Sequence, residues 1–206
     1  MKLQDLTIKE FLEKTYGKEP VPGGGSVSAL CGALAASLAE MVTALTIGRK
    51  KYAEVEEEMA SFVPALSKAR LAFLEFIDKD AAAYQKVFEA FKLPKESDEE
   101  KDRRNEAIQK ATLMAAHVPL AVAETGVSIM PLILEIGNKG NRNAVTDACV
   151  AMMCARTAVL GAILNVRINL VSLDNKEEAA HMAHECDFLQ QKAIQLESQL
   201  LNNIQL

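Results

Sequence analysis

An all-α fold is what this sequence predicts: an antiparallel bundle of six to eight helices, several of them long and kinked at proline. Three observations carry that reading. Apolar residues recur at helical spacing over long stretches, and no convincing strand alternation appears. Half of the residues (50%) are hydrophobic, yet there is no Trp, and Tyr and Phe number three and seven. A core of Ala, Leu, Val, Ile and Met suits closely packed helices. Finally, Gly- and Pro-rich punctuation separates the apolar stretches, as short loops between helices require. The 206 residues fit a single domain spanning 1–206.

The elements follow in order. Thr7 with Glu10 forms a capping-box pattern opening a short helix. Ile8, Phe11, Leu12 and Thr15 share one face, and Gly17 is its expected stop. The stretch KEPVPGGGS, 18–26, is the clearest loop in the chain. A long helix is predicted from Ser26 to Ile47, with Ser28, Gly32, Ala36 and Ala39 as a stripe of small residues that admits a neighbouring backbone. After Gly48 and a basic run, a second helical stretch is expected over 55–93. Pro64 should start a new helix or kink this one, and Pro94 ends it. Ser97 with Glu100 is another capping box, opening a helical region to about Ile136 that is broken or bent near Pro119 and Pro131. GNKGNRN, 137–143, reads as a second loop. Ala144 to Val171 reads as an Ala-rich buried helix, and Asp174 with Glu177 as the cap of the last one. Val166–Val171 taken alone has strand character, but it lies inside the longer helical period.

The net charge of −5 gives no general attraction to nucleic acid or anionic lipid. The start, MKLQDLTIKEFLEK, lacks a signal-peptide apolar stretch. Ser26–Ile47 is apolar enough to raise a membrane question. Its many small residues and Glu40 fit a buried helix better, so no membrane association is expected. Cys31, Cys149, Cys154 and Cys186 contain no CxxC pair, which fits reduced thiols in a cytoplasmic protein. Two helices are apolar all round, which points to burial by a second subunit, in a homodimer or larger homo-oligomer.

Several residues can carry chemistry. The glycines Gly23, Gly24 and Gly25, followed by Ser26, offer backbone N–H groups at a helix start, where an anion or carbonyl oxygen is favoured. A plain tight turn is the competing reading. Asp80 and Tyr84 are i, i+4 neighbours on an apolar face, where a carboxylate can gain a raised pKa; Asp78 points elsewhere. A hydrogen-bonded structural Asp is the alternative there. Asp147 falls in the first turn of its helix, where the dipole alone can account for it. Asn165 and Asn169 are again i, i+4, and an amide presents both a donor and an acceptor to a heterocycle. Lys50 and Lys51, beside Arg49, form a basic cluster that suits either a solvated helix end or ligand carboxylates. His181, His184 and Glu185 have helical metal-ligand spacing but no HExxH, and read as surface residues. His117 is isolated and reads as structural. No metal site is expected.

Taken together, PGGGSVSALCGALAASLAEMV (22–42), TIGRKKY (46–52), DAAAY (80–84), LPK (93–95), GNRNAVTDACVA (140–151) and GAILNVRINL (161–170) resemble the formiminotetrahydrofolate cyclodeaminase family. That family includes the C-terminal domain of formiminotransferase-cyclodeaminase. The glycine-loop and LNVRINL blocks are the specific ones. The resemblance implies an all-helical, dimer-forming domain without a formiminotransferase domain, which would then be a separate partner. It implies 5-formiminotetrahydrofolate as substrate, with or without a polyglutamate tail, closed to 5,10-methenyltetrahydrofolate with loss of ammonia. Some stand-alone relatives are methenyltetrahydrofolate cyclohydrolases instead. A non-catalytic folate-binding or scaffold protein is the alternative of another class. No cofactor is expected beyond the tetrahydrofolate substrate itself. On this reading Asp80 or Asp147 carries protons, and Asn165 and Asn169 orient the pterin or one-carbon group. The Gly23–Ser26 loop holds a ligand oxygen, Lys50 and Lys51 meet the glutamate tail, and Tyr84 and Asn143 complete the binding set.

Overall fold

In the computed structural model, which describes residues 2–204, the chain forms six α-helices. They are α1 (Ile8–Thr15), α2 (Gly24–Thr46), α3 (Glu56–Phe91), α4 (Asp98–Lys139), α5 (Val145–Leu170) and α6 (Lys176–Asn203), with short 3₁₀ turns at Leu3–Asp5, Lys50–Val55 and Arg142–Ala144. The described residues contain no strand.

The long helices are antiparallel in sequence order, and side-chain pairs fix each register. Ser26 at the start of α2 reaches Ile77 and Asp80 late in α3. Lys139 at the end of α4 pairs with Glu58 at the start of α3. Asn169 late in α5 donates to the Ala115 carbonyl of α4. Arg156 and Arg167 of α5 pair with Glu197 and Asp187 of α6 in reversed order. α2 also lies antiparallel against α5, since Asn165 flanks Gly24 while Asn141, just before α5, bonds the Leu45 carbonyl.

Small residues set the spacing. Ala29, Ala33, Ala36 and Ala39 of α2 and Ala148, Ala151, Ala155 and Ala162 of α5 are buried. A Cβ on Gly32 would run into the Phe73 ring of α3, and one on Gly161 would meet Ser28 of α2. α2 is therefore held close to both neighbours, and the fully buried Phe73 fills the space that Gly32 leaves. Glu40, the one carboxylate in α2, accepts from Arg70 of α3 at 2.6 Å.

Several boundaries moved. Gly24 and Gly25 are the first residues of α2, so the helix begins two residues before the predicted start at Ser26. Pro64, Pro119 and Pro131 lie inside continuous helices. Each forgoes one backbone hydrogen bond, and the packing of long neighbouring helices holds the rest in line. α4 continues through Gly137 to Lys139, so the predicted 137–143 loop shrinks to Gly140–Asn141 and a 3₁₀ turn. The last helix is capped by Asn175 with the Glu178 N–H, one residue beyond the predicted Asp174 and Glu177. Both capping boxes, Thr7 with Glu10 and Ser97 with Glu100, are present. In α1 only Phe11 of the apolar face is buried.

By length and composition, α2, α4 and the Arg142–Leu170 segment are apolar enough to cross a membrane. About half of each apolar stretch (50%, 56% and 44%) packs inside the bundle. The outward sides of α2 and α5 remain apolar, with Leu34, Met41, Leu45, Val150, Met153 and Leu164 exposed. Between these two rows Cys31 of α2 and Cys154 of α5 lie close to one another.

Gly32→Val should cost about 1–3 kcal/mol in urea unfolding through overpacking. Phe73→Leu in the same chain should restore part of that loss, and additive effects would show that the two sites do not share this contact.

Candidate active site

α2 begins without a side-chain cap, since Gly23 at the N-cap position has none to offer. Its first N–H groups and the positive end of its dipole are therefore open to an anion from elsewhere. Asp80 of α3 takes that place. Its Oδ2 lies 3.0 Å from the Ser26 hydroxyl, and the Ser26 backbone N–H also donates to the carboxylate. Gly25 makes this approach possible, because a Cβ there would overlap the carboxyl group.

Burial pushes the Asp80 carboxyl above its ordinary pKa, while the hydrogen bonds from the Ser26 hydroxyl and N–H pull it back. The Ser26 hydroxyl also lies 3.0 Å from the Ile77 carbonyl. With one hydrogen, that hydroxyl cannot serve both acceptors fully. When Asp80 is protonated, the carboxyl can donate to Ser26 while Ser26 donates to Ile77, and all three groups are satisfied. The local geometry thus accommodates both protonation states, as a proton carrier needs.

Asp80 opens into a cavity of about 360 Å³. Gly23, Gly24 and Gly25 form one wall, Ala83, Tyr84 and Val87 another, and Asn165, Ile168 and Asn169 a third. Both amides spend an N–H on their own helix: Asn165 Nδ2 donates to the Gly161 carbonyl and Asn169 Nδ2 to that of Asn165, each at 2.8 Å. Asn169 Nδ2 also reaches the Ala115 carbonyl at 3.3 Å. No described residue donates to either Oδ1, leaving two acceptors for the N–H groups of a ligand.

The sequence-predicted set divides in two. Gly23, Gly24, Gly25, Ser26, Asp80, Tyr84, Asn165 and Asn169 come together. Lys50, Lys51, Asn143 and Asp147 do not join them within one chain. Asp147 is in the first turn of α5, and 18 residues at 1.5 Å rise put it about 27 Å from Asn165. Lys50 and Lys51 follow α2's far end, about 35 Å along the helix from Gly24. There Asn141 organises a second polar cluster. Its N–H donates to Thr46 Oγ1, and its Oδ1 accepts from the Asn143 N–H and the Tyr52 hydroxyl. Asp78 accepts from the Leu3 and Gln4 N–H groups, a structural task that separates it from Asp80. His181 and His184 are exposed on α6, and His117 is exposed too rather than built into the core. Val87 and Ile168 were legible as the same helix faces as Asp80 and Asn165. Ala115 of α4 carried no signal.

A family model described as formiminotransferase-cyclodeaminase matches residues 7–188. The chain belongs to the formiminotransferase-cyclodeaminase family. It is 36% identical over 182 residues to the formimidoyltransferase-cyclodeaminase of Mus musculus, covering 87% of this chain and 34% of the mouse protein. The chain thus spans about a third of the length of that bifunctional relative. It is 35% identical over 198 residues to the methenyltetrahydrofolate cyclohydrolase of Methylorubrum extorquens, covering 96% of this chain and 95% of that one. The crystal structure of formiminotetrahydrofolate cyclodeaminase from Thermotoga maritima superposes with a TM-score of 0.87 at 29% identity, over 98% of this chain and 96% of that one. The family match covers both the glycine-capped helix start and the Asn165–Asn169 pair.

Because its folded pKa is raised, Asp80 binds its proton longer in the folded than in the unfolded chain. Stability from this group is therefore greatest below the unfolded pKa and falls as pH climbs through the raised value. Asp80→Asn, which cannot ionise, should melt at the same or higher temperature than the parent at pH 7, with the difference shrinking toward pH 4. Thermal melts across that range check it, and a variant clearly less stable at pH 7 would contradict the desolvation argument.

Proposed function

We propose that this protein closes 5-formiminotetrahydrofolate to 5,10-methenyltetrahydrofolate and releases ammonia, with Asp80 moving the protons. The observation that carries this is the half-buried Asp80 carboxyl at an uncapped helix start, facing two amide acceptors in a cavity of about 360 Å³. The family match supplies the substrate class.

In the proposed reaction N10 attacks the carbon of the protonated formimino group on N5, giving a tetrahedral carbon that carries an NH2 group between two folate nitrogens. The Asp80 carboxylate takes the N10 proton and delivers it to the amino group. The C–N bond to that group breaks, ammonia leaves, and the methenyl cation remains. One carboxyl performs both transfers, and the burial that raises its pKa helps it hold the proton between them. The free Oδ1 atoms of Asn165 and Asn169 suit N–H donors of the pterin. The N–H groups of the α2 start suit a ligand oxygen when Asp80 is protonated and no longer claims them as an anion. The reaction calls on no cofactor, and a separate formiminotransferase would supply its substrate.

A second reading is favoured by the end-to-end match with the Methylorubrum extorquens cyclohydrolase. There the same carboxylate would take a proton from water as it adds to the methenyl carbon, and the ring would open to the formyl compound. Purified protein given each folate in turn, with methenyl absorbance and ammonia followed, separates the two activities. Turnover of neither, with tight folate binding, would leave a binding protein.

We further propose that the apolar face of α2 and α5 is covered by a second copy of the chain. A two-fold axis through that face lays the Asp147 end of one copy against the Asp80 end of the other, because both helices run nearly the length of the bundle. This brings Asp147, Asn143, Lys50 and Lys51 within range of the partner's pocket.

Asp80→Asn should lower turnover by about 100-fold or more with folding intact. Unchanged turnover would remove the carboxylate mechanism. Val150→Glu combined with Leu164→Glu should shift sedimentation from dimer to monomer. Asp147→Asn should also lower turnover, by removing a side chain that lines the partner's pocket, and mixed, co-refolded Asp80→Asn and Asp147→Asn chains should regain activity that both variants have lost. A monomeric parent, or no recovery on mixing, would contradict a shared site.

A further inference from the structure

We propose that the groove between α3 and α4, which continues from the Asp80 cavity, binds the benzoyl-glutamate tail of the substrate, with Lys86 and Lys110 meeting its carboxylates. This rests on the folate reading above. The groove has a volume of about 490 Å³, and Ala90, Ala107, Ala111 and Met114 form its floor.

Continuity of the two hollows follows from helix geometry. On α3, Asp80, Ala83 and Val87 line the first hollow, and Lys86 and Ala90 continue into the second. On α4, which runs the other way, Ala115 lines the first and Ala111 and Ala107 the second. Each turn away from Asp80 on one wall is matched by a turn away from Ala115 on the other. Lys86 is six residues beyond Asp80 and Leu93 is thirteen, a rise of about 9 to 20 Å. A pteridine held at Asp80 would therefore lay its aryl ring over the alanine floor, where short side chains leave room for a flat group. Its carboxylates would reach the lysines.

The charges fit this occupant. Neither Lys86 nor Lys110 has an acidic partner within salt-bridge distance among the described residues. Lys79 and Lys101, by contrast, are each paired with an acidic side chain on their own helix. Glu89 also lines the groove, but it accepts from Gln85 Nε2 at 3.0 Å along its own helix, and the two lysines still leave the groove positive. At the outer end Leu93 is shared with a hollow lined by Arg103, Arg104 and Glu100, the last held by the Glu96 and Ser97 N–H groups, so a longer anionic tail would still meet more cations than anions. Lys50 and Lys51 of the same chain, at the opposite end of the bundle, are out of reach of a tail laid in this groove.

Calorimetric titration of the full chain with 5-formyltetrahydrofolate and with the matching pteroate lacking glutamate tests the assignment. The parent should bind the folate more tightly than the pteroate. K86A/K110A should weaken folate binding by about three- to tenfold, as two exposed ion pairs would, and leave pteroate binding within about twofold. If the double variant binds folate as the parent does, or loses both ligands equally, the tail assignment is overturned and the folate reading stands. A parent that binds neither ligand overturns both.

Discussion

The carboxylate of Asp80 set over the bare start of α2 is the interaction on which the rest of this site depends. A helix start with no side-chain cap presents orphan N–H groups and a positive dipole end. Here the anion comes from another helix, across more than fifty residues of sequence, and accepts from the Ser26 hydroxyl and N–H. Gly25 is the condition for it, since any side chain at that position would occupy the space of the carboxyl group. Two opposing forces act on the same group. Burial favours the neutral acid, and the Ser26 donors favour the anion, with burial the larger. A group so balanced gains and loses a proton with little rearrangement.

The same small side chains that bring the helices together also build the cavity. Gly32 admits Phe73, Gly161 admits Ser28, and Gly24 admits Asn165. α2 consequently sits close to both α3 and α5, so that Asp80 of one and Asn165 of the other reach its first turn. Larger residues in these positions would separate the helices and move the acid and the amides apart. The packing of the bundle and the precision of the site are one property, because the first turn of α2 is the contact point for both.

The two ends of the bundle are chemically distinct. One holds Asp80, the glycines and the paired amides. The other is tied by Asn141 to Thr46, Leu45 and Tyr52 and carries Asp147 with the lysines. Between them the outer sides of α2 and α5 offer mostly apolar side chains to solvent, with Ser37 and Thr157 among them. An isolated chain gains nothing from such a face, whereas a second copy laid across it, as proposed above, would remove that area from water and set opposite ends side by side.

The sequence by itself determined the helices, for hydrophobic period, capping residues and helix-breaking loops are local properties of the chain. Thr7 with Glu10 and Ser97 with Glu100 were legible as capping boxes because the partners are three residues apart. The pairs Asp80–Tyr84 and Asn165–Asn169 were legible because helical spacing alone puts each on one face. The resemblance to the cyclodeaminase family was likewise written in short motifs. Tertiary structure alone decided which motifs share a pocket. Spacing along one helix says nothing of the register between helices, and that register separates Asp147 and the lysines from Asp80 while joining Ala115 to it. It also decided that Gly24 and Gly25 belong to α2 itself, where a carboxylate from α3 lies over the uncapped first turn.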